Sequence, residues 1–207
     1  YEIVVSDWSS DVCSSDLYSV KGRTLDACTR VANGSSQLAL PGAAACPDWV
    51  LGNAGGRGYY VVLADEALQK RQLPASLKMP AAEVVTLLAD SVLLADSGLV
   101  PPAHTLALVE RFMAHPAPAV RHMATVVLAG VHPDWLGPQD KRRHQLLLKN
   151  QIVPLARKLG WNDKPGEEER VRAWRGVLLP LAADQGGDPV LRREAGELVG
   201  RWISNRE

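Results

Sequence analysis

Tyr59-Tyr60-Val61-Val62-Leu63-Ala64-Asp65-Glu66-Ala67-Leu68 is the stretch on which the reading of the fold turns. Paired aromatics followed by β-branched residues suit a strand. Beyond Ala64 the apolar spacing becomes helical and stays so to the end of the chain. A short helix is predicted from Asp65 to Arg71. A second, from Ala81 to Asp96, places Val84, Leu88, Val92 and Ala95 on one face. Two more, from Ala103 to Ala114 and from Ala117 to Val131, carry Leu106, Val109 and Met113, then Val120, Ala124, Val127 and Val131. Pro101, Pro102, Pro116 and Pro118 punctuate them. From Gln139 to Leu159 the helical pattern contains Pro154, which predicts a kink or break near Val153. A further helix from Glu167 to Asp184 carries Val171, Trp174, Leu178 and Leu181. The last opens with Asp188 as N-cap and Pro189 in its first turn, and is expected to bury Leu191, Ala195, Leu198 and Trp202.

Working back from Tyr59, the text is short and rich in turns. Trp49-Val50-Leu51 reads as a strand, joined to Tyr59–Leu63 by the glycine-rich Asn53 to Gly58. Asn33-Gly34-Ser35-Ser36 separates Arg30-Val31 from Gln37-Leu38-Ala39-Leu40 in a hairpin-like arrangement. So few strands cannot close a sandwich, and the segment reads as the edge of a larger β domain, with apolar strand surface exposed from Trp49 to Leu63. The fold class expected is therefore mainly α: a HEAT-like α-solenoid of antiparallel helices preceded by a few strands of a truncated β-sandwich. Residues 18–63 form the β-sandwich remnant and residues 64–207 the helical C-terminal domain.

Residues 1–17 stand apart. Asp7-Trp8-Ser9-Ser10-Asp11-Val12-Cys13-Ser14-Ser15-Asp16-Leu17 resembles the translation of a common sequencing-library adapter. The segment is read as an adapter-derived artefact and set aside from fold reasoning. The natural chain is then expected to start near Tyr18, with its true N-terminus missing.

With 23 basic and 23 acidic residues, the chain of 207 residues has a formal net charge of zero. No overall field favours nucleic acid or an anionic membrane. Apolar runs are interrupted too often to span a bilayer. Outside the adapter-like segment the cysteines are Cys28 and Cys46, in no CxxC pair. Two readings stay open: two buried thiols, or one disulfide worth on the order of 3 kcal/mol. A bridge would place the protein in the periplasm or outside the cell, and its absence in the cytoplasm.

Trp49-Val50-Leu51-Gly52-Asn53-Ala54-Gly55-Gly56-Arg57-Gly58-Tyr59-Tyr60 resembles the W-x-x-x-N-x-x-x-x-G-Y-Y segment of aminopeptidase N-like zinc metallopeptidases. Leu159-Gly160-Trp161 and Gly186-Gly187-Asp188-Pro189 are similar to later segments of that family, in the same order. Val61 departs from it, standing where the family usually has Arg. The resemblance implies that Trp49, Asn53, Gly58, Tyr59 and Tyr60 form a structural motif closing the small β-sandwich. It also implies a helical domain that caps the active-site chamber and limits which peptides enter. The partners implied are the remainder of the parent enzyme and, in the intact enzyme, its peptide substrate.

That family's chemistry depends on His-Glu-x-x-His with a downstream Glu, which together hold zinc and activate water, and on a G-x-M-E-N strand. Neither pattern occurs here. His104, His115, His122, His132 and His144 are read as surface or partly buried side chains, and Gly52 to Gly58 as a turn and not a phosphate loop, since no Gly-Lys-Ser/Thr follows. Lys141-Arg142-Arg143-His144 reads as a solvated helix start, and Glu167-Glu168-Glu169 as acidic capping of a helix N-terminus. The expectation is a catalytically inert C-terminal portion of a zinc aminopeptidase, with no catalytic residue and no cofactor of its own. The alternative is a free-standing α-solenoid interaction module.

Overall fold

The computed structural model describes residues 13–30, 39–42, 46–58 and 60–205. Three strands come first: β1 (Cys13–Val20), β2 (Arg23–Arg30) and β3 (Trp49–Leu51). They form an antiparallel sheet in the order β2-β1-β3, with Tyr18 opposite Leu25 on one side and Val50 on the other. The tight β1–β2 turn puts Lys21 and Gly22 at positive φ, which the glycine accepts without strain. β1 runs through the boundary drawn at Leu17, pairing Leu17 with Leu51. The hairpin expected around Asn33 to Ser36 lies outside the described residues.

Everything after Ala64 is helical. The helices are α1 (Glu66–Ala75), α2 (Ala81–Asp96), α3 (Pro102–Phe112), α4 (Pro118–Gly130), α5 (Pro138–Leu147), α6 (Val153–Leu159), α7 (Glu169–Ala183) and α8 (Pro189–Ser204). The protein is thus mainly helical with a small antiparallel sheet ahead of the helices. Their starts have local causes. Asp65 and Asp188 cap α1 and α8, accepting from the amides of Leu68 at 2.7 Å and Leu191 at 2.9 Å. Pro102, Pro118, Pro138 and Pro189 occupy first turns, where a missing N–H costs nothing.

α2 packs on α3 and α4, α3 on α4, α6 on α7 and α7 on α8, and α4 also meets α7. One continuous core runs through them, from Leu51 and Val84 by way of Leu106, Phe112 and Leu128 to Ile152, Leu178 and Leu191. A smaller cluster beneath the sheet joins Tyr18, Ala27 and Val50 to Leu68 of α1. β3 serves both. Alternate side chains of a strand point to opposite faces, so Val50 enters the small cluster while Trp49 and Leu51 face the helical core.

The break expected near Val153 is present as a π-helical turn, Leu148–Ile152, between α5 and α6. The wider turn lets the chain pass Pro154, which has no N–H to give and whose ring would strike a carbonyl of the preceding turn. The end of α7 is equally specific. A Cβ on Gly186 would lie 2.5 Å from the Ala182 carbonyl oxygen and 3.0 Å from Val153, so only glycine fits there.

Three expectations are corrected. Tyr60 to Leu63 is not a strand: its backbone groups are satisfied by side chains of Asn53 and Asp90, not by a sheet. The apolar surface expected to be exposed from Trp49 onward is covered: α1 lies against β3 and α2 against the turn that follows it, and Val50 and Leu51 are buried. Trp202 is 64% exposed and Leu198 only half-buried, so α8 buries Leu191 alone. α8 packs mainly against α7.

Leu128 is fully buried where α4 faces its neighbours, and Leu99 is exposed. Leu128→Ala is expected to lower unfolding free energy by about 2–5 kcal/mol, and Leu99→Ala by less than about 0.5 kcal/mol, read by urea titration of the two variants.

Candidate functional site

The residues carrying the family resemblance are gathered where the sheet hands over to the helices. Asn53 sits in the left-handed region, φ 58° and ψ 53°, a conformation asparagine tolerates better than most residues. Its side chain is 3% exposed and clasps the chain ahead of it. Oδ1 accepts from the Gly58 amide at 2.7 Å, while Nδ2 donates to the carbonyls of Gly58 at 3.0 Å and Tyr60 at 3.2 Å. Gly58 cannot carry a side chain, because a Cβ there would lie 2.0 Å from the Tyr60 ring. Trp49 packs on the helical core. Asn53, Gly58 and Tyr60 are therefore one device, a turn locked by an amide with an aromatic lid. Tyr59 lies outside the described residues.

Two buried carboxylates on α2 fasten this device to the helices. Glu83 takes the Gly55 amide with both oxygens, at 2.9 and 3.0 Å. Asp90, two turns along the same face, accepts from the Val62 amide at 3.1 Å. From α1, Gln72 donates to the Val50 carbonyl at 2.5 Å. Burial pushes the Asp90 carboxyl up to about 6, against the opposing pull of the Val62 N–H. The sequence does not single out these acids or Gln72, because their partners, two loop amides and a strand carbonyl, lie 22 to 28 positions away along the chain.

The remaining candidates scatter. His115 and His144 are buried, correcting the surface reading, and burial lowers the pKa of each. His144 stands three and four residues before Leu147 and Leu148, on the face that α5 turns inward. In the basic cluster, Arg143 is paired with Glu110 of α3 and Lys141 with Asp134, so the cluster is partly neutralised. Glu167 does not cap α7. Both its oxygens hold the Arg175 guanidinium, at 2.5 and 2.6 Å, and Arg175 also reaches the Gly160 carbonyl and Asp163. This pinches the loop between α6 and α7, keeping the Arg175 guanidinium charged and holding the Glu167 carboxyl below the usual carboxylate range. Trp174, next in sequence, donates to Thr125 of α4 at 3.0 Å.

Cys46 is a free, exposed thiol, so the bridge from Cys28 to Cys46 is not formed. β1 lies between them: Cys28 on β2 faces Ser15, whereas Asp48 bonds Ser19 near the other end of β1. Several strand residues at about 3.3 Å each, plus the width of β1, exceed the reach of a disulfide. For the zinc that the resemblance associates with an intact enzyme, the described residues do not supply a donor set: no three His, Cys, Asp or Glu side chains come together among them. No catalytic step is derived through a metal here.

An apolar groove of about 780 Å³ lies between α2 and α4, bordered by Val92, Leu93, Met123, Val126, Val127 and Trp135. Leu93, Val126 and Trp135 are exposed.

The helical stack is thus entered from a sheet edge through a locked asparagine turn. The family model of the ERAP1-like C-terminal domain matches residues 49–207, more than half of the chain, and the protein belongs to that family. This fits a C-terminal region of an aminopeptidase N-like enzyme. The match begins at Trp49, the first residue of β3.

Asn53→Ala removes three hydrogen bonds and an αL-tolerant residue, and is expected to lower stability by about 2–4 kcal/mol. Gly58→Ala is expected to be at least as damaging, because the Tyr60 ring must leave its seat. Urea unfolding monitored by tryptophan fluorescence measures both.

Proposed function

We propose that the chain is a non-catalytic C-terminal portion of a zinc-dependent aminopeptidase, and that in the intact enzyme its helices cap the active-site chamber and restrict which peptides reach it. Membership of the ERAP1-like C-terminal domain family carries this reading. The chain supplies a wall and not the reacting groups. The apolar groove between α2 and α4 is the surface this reading turns toward the peptide, since its exposed Leu93, Val126 and Trp135 suit apolar side chains. The remainder of the enzyme is the partner of the sheet. Among the described residues no helix is long and apolar enough to cross a membrane.

Recovering the source locus with adapter-free long reads through the junction near Tyr18 tests the parentage. A continuing frame with G-x-M-E-N and His-Glu-x-x-His upstream is the expected result. A start codon close to Tyr18 would overturn it and leave a free-standing helical interaction module. In the rebuilt enzyme, Val126→Arg is expected to change kcat/KM for long peptides at least about threefold, roughly 0.7 kcal/mol, and to spare a single-residue chromogenic amide. Equal effects on both substrates would remove the groove from the reading.

A further inference from the structure

Asp90 remains after the clasp has been accounted for. A carboxylate only 7% exposed is placed at the seam between sheet and helices. It receives a hydrogen bond from the Val62 amide, and among the described residues no ion pair is formed with it. It borders a small cavity of about 20 Å³ walled by Leu51, Val62, Ala64, Gln72, Thr86 and Leu87. A cavity of that size admits one water. Asp90 is the one titratable group on it. Gln72, which also lines the cavity, gives its Nε2 to the Val50 carbonyl. Its Oε1 is an acceptor, which a carboxylic acid can satisfy and a carboxylate cannot.

The surrounding charges are occupied elsewhere. On α2, Glu83 holds Gly55 and Asp96 is exposed. On α1, Lys70 pairs with Glu66 and Arg71 reaches the Pro47 carbonyl; Asp65 caps the helix. On α3, His104, Glu110 and Arg111 line a different groove, with Arg143. On α4, Arg121 is turned to the carbonyls of His115 and Pro116. Arg57 of the turn is exposed. None of these lines the Asp90 cavity.

We propose that Asp90 is an acid-operated catch: on taking up a proton from solvent it donates the new O–H into the cavity, to Gln72 directly or through one water, while its other oxygen keeps the Val62 amide. The link between sheet and helices then tightens. The direction follows from linkage. A carboxyl raised from 3.8 to about 6 holds its proton better folded than unfolded, so its stabilisation is full below the unfolded value and is lost as pH rises through about 6. This goes beyond the aminopeptidase reading and does not rest on it.

Hydrogen exchange of the Val62 amide in the full chain, referred to core amides of α4 and corrected for intrinsic rates, reads the catch. Opening at pH 4 is expected to be roughly 50-fold rarer than at pH 7. Asp90→Asn, which keeps the acceptor and adds a permanent donor, should be closed and pH-independent over that range. A carbon-detected NMR titration of the Asp90 carboxyl gives a second readout without mutation, with a midpoint well above that of ordinary aspartates expected. A flat or acid-loosened Val62 profile, an unchanged slope in Asp90→Asn, or an ordinary Asp90 midpoint overturns the proposal.

Discussion

The structure depends on one constraint: between Leu51 and Asp65 the chain must leave a sheet edge and enter a helical stack without burying an unpaired backbone group. Neither a ladder nor a helix can serve there, because the segment belongs to neither. Side chains supply the missing partners. Asn53 takes the Gly58 amide and two carbonyls, Glu83 takes the Gly55 amide, Asp90 the Val62 amide, and Gln72 the Val50 carbonyl. Buried backbone polar groups must be matched in this way or cost their full desolvation. Because two of the partners sit on α2 and one on α1, satisfying the link also fixes where α1 lies against β3 and α2 against the turn after it.

From α2 onward the same logic is applied more sparingly. The helices pair through an apolar core, and the polar devices appear where the chain turns: Arg175 gathering Glu167, Asp163 and the Gly160 carbonyl, and Arg157 reaching the cap Asp188. The π-helical turn before Pro154 and the bare backbone at Gly186 are adjustments of the same kind, since Val153 packs against the site of the absent Gly186 side chain. A buried ion pair is weak evidence of net stability. Its contribution here is to set loop conformation.

The titratable groups described above stand at helix starts, at a loop pinch and at the seam with the sheet. The groove between α2 and α4 is apolar. In the reading proposed, the chemistry belongs to the rest of the enzyme, and the helical part shapes access to it. The seam is then the element through which the position of the wall could respond to conditions.

The sequence by itself determined the switch to helix after Ala64, the helix starts at Asp65, Pro102, Pro118 and Asp188, the interruption near Val153 and the Trp49 to Tyr60 pattern. Each rests on interactions within a few residues, which spacing, capping and proline geometry expose directly. Only the tertiary structure decided that Tyr60 to Leu63 would be tied by side chains in place of a ladder. It also decided that His144 and Arg175 would be buried, that Trp202 would be left outside, and that Cys46 would stand far from Cys28. The Val62 amide finds Asp90 28 positions away, and Gly55 finds Glu83 at the same separation. Periodicity says which face of a helix is apolar, but what covers that face, and which distant polar group it must satisfy, is set only when the elements meet.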